Sequence, residues 1–323
     1  MGSKKDDSNL DYPYLEKIQD IAFNPVFIIG VQRSGTSILY KILSQTNSFN
    51  IVTAYDIIDY NQLLYNKIKG LTKQSKKELS NLFNEKSIKS RGIDKLELNT
   101  DFAEEYGFVL AKESNSPVLS DQNIKIFDNL CKKIMFISDN SKPILLKNPH
   151  DSANFLYILS KYPNSRLIFI HRNPVRTLNS QLKAMRRLLD KRSEYMSLLS
   201  PGYKKVFEKK LLLKYYRFVY SSKTPLRVKK AISNLSDVSK YYLDNVKSID
   251  KKLYFDVRYE DLCDNPSYVI DNIFDFLKIK PEKKVEYNKM IKPRKTSDLQ
   301  EIIKREKEIK NKMKKYLKKF NYI

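Results

Sequence analysis

Residues 33–36, Arg-Ser-Gly-Thr, sit where a chain is built to hold an anion. Asn24 to Ile29 reads as a buried strand, Gly30 and Gly35 bracket a turn, and Ile38-Leu39-Tyr40-Lys41-Ile42-Leu43 reads as an amphipathic helix. In a strand–turn–helix of this kind, successive backbone N–H groups and the positive end of the helix dipole bind phosphate from main chain alone. A nucleoside-triphosphate loop, G-x-x-x-x-G-K-[ST], needs a lysine after the second glycine to reach the β- and γ-phosphates. Thr36 stands there instead, and the cation, Arg33, comes before Gly35. The phosphate site remains while kinase chemistry loses its lysine.

A second set of residues suits a second anion. Arg166 to Arg172 is a β-rich run, Asn173-Pro174 supplies a cap and a first-turn proline, and Ser180 lies on the helix that follows. A guanidinium fork with one more hydroxyl donor fits a terminal phosphate dianion. Between the two sets, Pro143 to Lys147 forms a strand, then Asn148-Pro149-His150, with Asp151 or Ser152 expected to cap a helix over Ala153 to Leu159. Leu253 to Val257 forms a last strand, leading through Arg258-Tyr259-Glu260-Asp261-Leu262 and Asn265-Pro266 to an amphipathic helix, Val269 to Leu277.

Taken in order, these motifs resemble the sulfotransferase family that uses 3′-phosphoadenosine 5′-phosphosulfate (PAPS), in its bacterial-type branch. Arg33-Ser34-Gly35-Thr36-Ser37 fits that family's [KR]-S-G-T-[TS] loop at every position, and the likeness runs over about residues 24 to 323. It implies PAPS as co-substrate, with Arg33, Ser34, Gly35, Thr36 and Ser37 on the 5′-phosphosulfate, and Arg172 and Ser180 on the 3′-phosphate. Tyr259 would meet the adenine, where a ring packs on a base and a hydroxyl bonds a ring nitrogen. Lys295, in Pro293-Arg294-Lys295-Thr296-Ser297, would add a late phosphate contact. Near Asn154, where the family often carries an arginine, this chain has none.

The implied reaction moves a sulfuryl group to a hydroxyl or amine of an unidentified acceptor and leaves adenosine 3′,5′-bisphosphate. Arg33 would offset charge building on the bridging oxygen, and in-line positioning needs no metal in principle. A base that takes the acceptor proton contributes roughly 10²–10⁴-fold. Glu105 leads, then Glu104, both in an acidic segment, Asp101 to Phe108, resembling one in the bacterial branch. Asp56 follows, near where other branches place a glutamate, and His150 is a fourth candidate because neutral imidazole suits the task. Lys147 would orient the site or merely close its strand.

The elements that must position these residues alternate strand and helix. The expected fold is α/β, a P-loop-like parallel sheet flanked by helices, with strands near 26–30, 144–147, 166–171 and 253–257 and ligands at their carboxyl ends. Residues 1–22 read as an N-terminal extension, and 23–323 as a single domain with helical insertions near 57–100 and 185–250. Aromatic pairs in the insertions, Tyr215-Tyr216 and Tyr241-Tyr242, read as core. Cys131 and Cys263 lack CxxC spacing, and two histidines exclude a His-rich metal centre, so neither a disulfide framework nor a metal site is expected. With no apolar run of bilayer length and no signal peptide, a cytoplasmic protein is expected. The net charge of +24 is spread along the chain and densest in a final helix, Ile302 to Phe320; without a nucleic-acid-binding module it reads as lysine-rich composition. The alternatives are a nucleoside or nucleotide kinase-like P-loop enzyme and a PAPS-binding protein without catalysis.

Overall fold

The computed structural model describes residues 9–92, 96–291 and 297–323. Five strands, β1 (Pro25–Ile29), β2 (Asn50–Ile51), β3 (Ile144–Lys147), β4 (Arg166–His171) and β5 (Tyr254–Arg258), form one parallel sheet in the order β2-β3-β1-β4-β5. Phe27 is level with Leu146 on one side and Leu167 on the other, and the three central strands run parallel. All the carboxyl ends therefore share one edge, where open α/β sheets bind ligands.

The apolar runs of the central strands follow from burial on both faces. Successive side chains alternate: Phe27, Ile29, Leu146, Leu167 and Phe169 enter one core, and Val26, Ile28, Leu145, Ile168 and Ile170 the other. Helix α1 (Thr36–Ser44) covers the second face. Its Leu39, Tyr40, Ile42 and Leu43 are buried, and the Tyr40 hydroxyl donates to Leu145 O at 3.1 Å and accepts from Val52 N at 3.0 Å, stitching the helix to β3 and to the end of β2. β2, only two residues long, lies outside the strands expected from sequence; pairing with β3 makes it a strand.

Helices α2 (Ala54–Ile58), α3 (Leu63–Ile68), α4 (Thr72–Glu85), α5 (Gly107–Ser114), α6 (Ile124–Ile137) and α7 (Phe155–Lys161) precede β4. The expected cap at Asp151 or Ser152 is not formed: Asn154 precedes α7, and a short 3-10 turn, Pro149–Asp151, comes before it. Asp151 is instead buried and accepts from the Tyr106 hydroxyl at 2.6 Å, Asn148 Nδ2 at 2.7 Å and Leu119 N at 3.0 Å, which fixes the chain just after β3.

After β4 come α8 (Pro174–Asp190), α9 (Glu194–Leu199), α10 (Pro201–Glu208), α11 (Lys210–Val219) and α12 (Pro225–Asn245); after β5, α13 (Tyr259–Asp264) and α14 (Pro266–Leu277). The cap read from sequence is present, Asn173 accepting from Val175 N and Arg176 N at the start of α8, and Asn265 caps α14 in the same way, accepting from Tyr268 N. Ile270, Ile273 and Phe274 of α14 join α1 over the second face. The short α15 (Tyr287–Met290) comes next, and the single final helix expected is three, α16 (Gln300–Ile303), α17 (Glu306–Lys312) and α18 (Lys314–Lys319). Backbone bonds bridge the joints, Ile309 N to Arg305 O and Met313 N to Ile309 O, while the helical geometry lapses at Arg305 and Met313. Tyr215 departs from the core expected of it, being 60% exposed, while Tyr242 is buried. Among the described residues, no helix is long and apolar enough to cross a membrane.

Candidate active site

The turn from β1 to α1 is held by its own atoms. Ser34 donates to Val31 O through both its N–H, at 3.1 Å, and its hydroxyl, at 2.8 Å. Arg33 and Gly35 are left-handed, with φ of 70° and 109°. That conformation is costly for arginine and cheap for glycine, and non-glycine residues held in it gather at functional sites. A Cβ on Gly35 would lie 2.3 Å from Tyr259 Cδ2, so the glycine is required by packing as well as by φ. The first N–H groups of α1 have no intrahelical carbonyl to meet, and they open at the sheet's carboxyl edge. Ser34 and Thr36 are buried, so Ser34, with its hydroxyl committed to Val31, serves the shape of the loop.

β4 lies beside β1, and this adjacency delivers the second motif. Arg172 Nη1 donates to Arg33 O at 2.9 Å, its guanidinium stacks 4.3 Å from the Tyr259 ring centre, and its buried Nε has no hydrogen-bond partner among the described residues. Arg33 Nε donates to Ser180 Oγ at 3.2 Å. Asn173 N donates to Glu260 Oε1 at 3.1 Å, and Glu260 Oε2 accepts from the Tyr322 hydroxyl at 2.7 Å, tying the start of α8 to α13 and the chain's last residues. Arg33, Gly35, Arg172, Ser180 and Tyr259, drawn from four parts of the sequence, thus meet at one place.

On the β3 side of the loop lies a cluster of buried charges. Lys147, the last residue of β3, is fully buried; its Nζ lies 2.8 Å from Glu105 Oε1 and 3.1 Å from Ser37 Oγ. Arg91, nearly as buried, lies 3.3 Å from both Glu105 and Glu104 and donates to Ser37 Oγ at 3.4 Å. Glu104 also accepts from the Tyr195 hydroxyl at 3.0 Å. Two cations and two carboxylates therefore share one water-poor space, and Ser37 joins them to the phosphate loop. Burial would raise Glu105, but Lys147 and then Arg91 outweigh it and hold the carboxyl at about 2. Burial prevails at Glu104 and pushes it up against the pull of Arg91 and Lys147. Burial also draws Lys147 below the usual lysine range, against Glu105.

The other base candidates sit differently. Asp56 closes a capping box at the start of α2, accepting from Thr53 N and Thr53 Oγ1 at 2.8 Å each; burial pushes it up to about 6. His150 is exposed, its Nε2 3.5 Å from Gln32 Nε2 beside the loop. Lys295 lies outside the described residues. Arg91 is the residue that reading the sequence missed. It follows Ser90 in a chain with 61 lysines and arginines, and no periodicity or motif distinguishes it.

A family model described as "Sulfotransferase family" matches residues 25–283. No curated protein matches the sequence. Among solved structures, the chain resembles sulfotransferase STF9 from Mycobacterium avium at a TM-score of 0.62 and 13% identity, over 96% of this chain and 79% of that one. It also resembles sulfotransferase STF1 from Mycobacterium tuberculosis H37Rv at 0.53 and 13%, over 94% of this chain and 80% of the other. At such identities the structures speak for the fold, a central parallel sheet flanked by helices. The family match runs from the first residue of β1 through the phosphate loop, the β4 motif and β5, and by it this chain belongs to the sulfotransferase family.

Proposed function

We propose that this protein transfers the sulfuryl group of PAPS to a hydroxyl or amine of an acceptor. One arrangement supports it above the rest: Arg172 donates to the backbone of Arg33 while Arg33 reaches Ser180, so two anion-binding motifs flank one loop. A ligand anionic at both ends suits that pair better than two separate ligands. In this reading the N–H groups of Thr36 and Ser37 receive the 5′-phosphosulfate, and Arg172 with Ser180 receives the 3′-phosphate. The adenine lies against Tyr259, and Lys295 adds a late contact.

Glu105 serves as base once its cations are drawn elsewhere. Held at about 2, the carboxylate is ionised but weakly basic. An arriving sulfonate competes for Lys147, 3.1 Å from Ser37 on the loop, and for Arg91. Each cation it draws away lets Glu105 rise toward the range where it accepts a proton. Arg33 and Lys147 then offset the charge that builds on the bridging oxygen. Glu104, buried beneath Glu105, holds Arg91 in place, and Asp56 is the remaining carboxylate candidate.

Calorimetric titration with adenosine 3′,5′-bisphosphate, beside transfer from labelled PAPS to a panel of hydroxylated acceptors, tests this. Tight bisphosphate binding that Arg172→Ala weakens, with transfer abolished by Arg33→Ala, is the expected result. Mg²⁺-dependent ATP hydrolysis without bisphosphate affinity would sink the reading in favour of a kinase-like enzyme. Binding without transfer to any acceptor would leave a protein that only carries PAPS.

A further inference from the structure

We propose that the outward face of α11 docks on an anionic lipid bilayer. Leu211, Tyr215 and Phe218 are 82%, 60% and 63% exposed. Spaced four and three residues apart, they form one stripe along the helix. The helix is held in this rotation from behind: Leu213, Tyr216 and Val219 pack against the core, and Arg217 donates to Leu189 O at 2.9 Å and Asp190 O at 2.8 Å at the end of α8. Leu226, 72% exposed at the start of α12, is a further bare apolar side chain in the same segment. Residues this apolar are seldom left in water together unless something covers them.

Charge says what covers them. Between residues 201 and 230 the sequence has ten lysines and arginines, and Glu208 is its one carboxylate, paired with Lys204 at 3.8 Å. Lys210 and Lys214, both exposed, run along one border of the stripe, one helical turn apart. A nucleic acid would use the cations but leave Leu211 and Phe218 wet, and an apolar groove on a protein would leave the cations unmatched. A bilayer with acidic headgroups uses both, the apolar stripe entering the acyl boundary and the lysines meeting phosphate. The surface stands independently of the donor proposed above. Through α8 it connects to the site, Ser180 lying ten residues, about 15 Å along the helix, from Asp190.

Co-sedimentation of the full chain with vesicles tests the surface. Vesicles of phosphatidylglycerol and phosphatidylcholine should retain it at least about tenfold better than phosphatidylcholine alone, and less so as salt rises. The triple variant Leu211→Ser, Tyr215→Ser, Phe218→Ser and the double variant Lys210→Glu, Lys214→Glu should each lower retention about tenfold with the melting temperature unchanged, since the side chains replaced are exposed. The proposal falls if the native chain ignores acidic vesicles, or if the triple variant binds them as well as the native chain, which would leave the net charge alone responsible. It also falls if that variant turns a dimer into a monomer in light scattering, which would give the stripe to a second copy of this chain.

Discussion

The two sides of the phosphate loop solve opposite problems. On the β4 side, Arg172 Nε has no hydrogen-bond partner among the described residues and the first amides of α1 have no intrahelical carbonyl to meet, so this side has donors to spare. On the β3 side, Lys147, Arg91, Glu105 and Glu104 bind one another at 2.8 to 3.3 Å, so this side is already complete. In the proposed reading, binding and reactivity are therefore tuned separately: a ligand is taken up by groups with capacity to spare, while Glu105 stays locked until that ligand competes for its cations.

The largest effect should come from the locked side. Lys147→Ala leaves two buried carboxylates with one cation, and breaking a buried pair of this kind costs about 3–5 kcal/mol. Denaturant unfolding would measure it; a loss below about 1 kcal/mol, the range of exposed pairs, would show that water enters the cluster.

The pH dependence of stability sharpens the same point. Glu105 is depressed from 4.5 to about 2, so the stability it provides is present above pH 4.5 and is lost as pH falls through about 2. Asp56, buried with hydrogen bonds from Thr53, is raised from 3.8 to about 6, so its contribution is full below 3.8 and is lost as pH rises through about 6. Glu105→Gln should flatten the acid limb of a stability–pH curve. Asp56→Asn should flatten the stretch between pH 3.8 and about 6, and identical curves for the two variants would refute the contrast.

On the open side, Arg172→Ala should weaken adenosine 3′,5′-bisphosphate by about 1.5–3 kcal/mol, the worth of hydrogen bonds to a charged group, while hardly moving the melting temperature. Equal losses of affinity and stability would mean that Arg172 only braces the loop. The smallest effect expected is that of Ser180→Ala. It removes one acceptor of Arg33 and, in the proposed reading, one donor to the ligand, worth about 0.5–1.5 kcal/mol of affinity in the same titration.

Much of this molecule was legible in its residues because the signals are local. Asn173-Pro174 caps α8 as read, and Asn265-Pro266 repeats the device at α14, since a side chain two or three residues from an orphan N–H reaches it whatever the rest of the chain does. β2 was unreadable, as its two residues become a strand only through the partner that β3 provides. Asp151 or Ser152 reads as a cap from its neighbours in sequence, yet a buried carboxylate goes where donors converge, and those of Asp151 come from Tyr106, Asn148 and Leu119. Tyr215 reads as core because it is paired with Tyr216, while the rotation of α11 set by Arg217 turns it outward.

The turn from β1 to α1 is written in its own residues, because Gly30, Gly35 and the following helix encode their backbone geometry within a few residues, and in the proposed reading that geometry is itself the anion site. What surrounds the turn was settled by packing at long range. Arg91, Glu105 and Lys147 stand far apart along the chain, and the energy of a charge depends on which groups and how little water lie within a few ångströms. That distance is fixed by placing β3 beside β1, a choice made by the packing of the whole sheet.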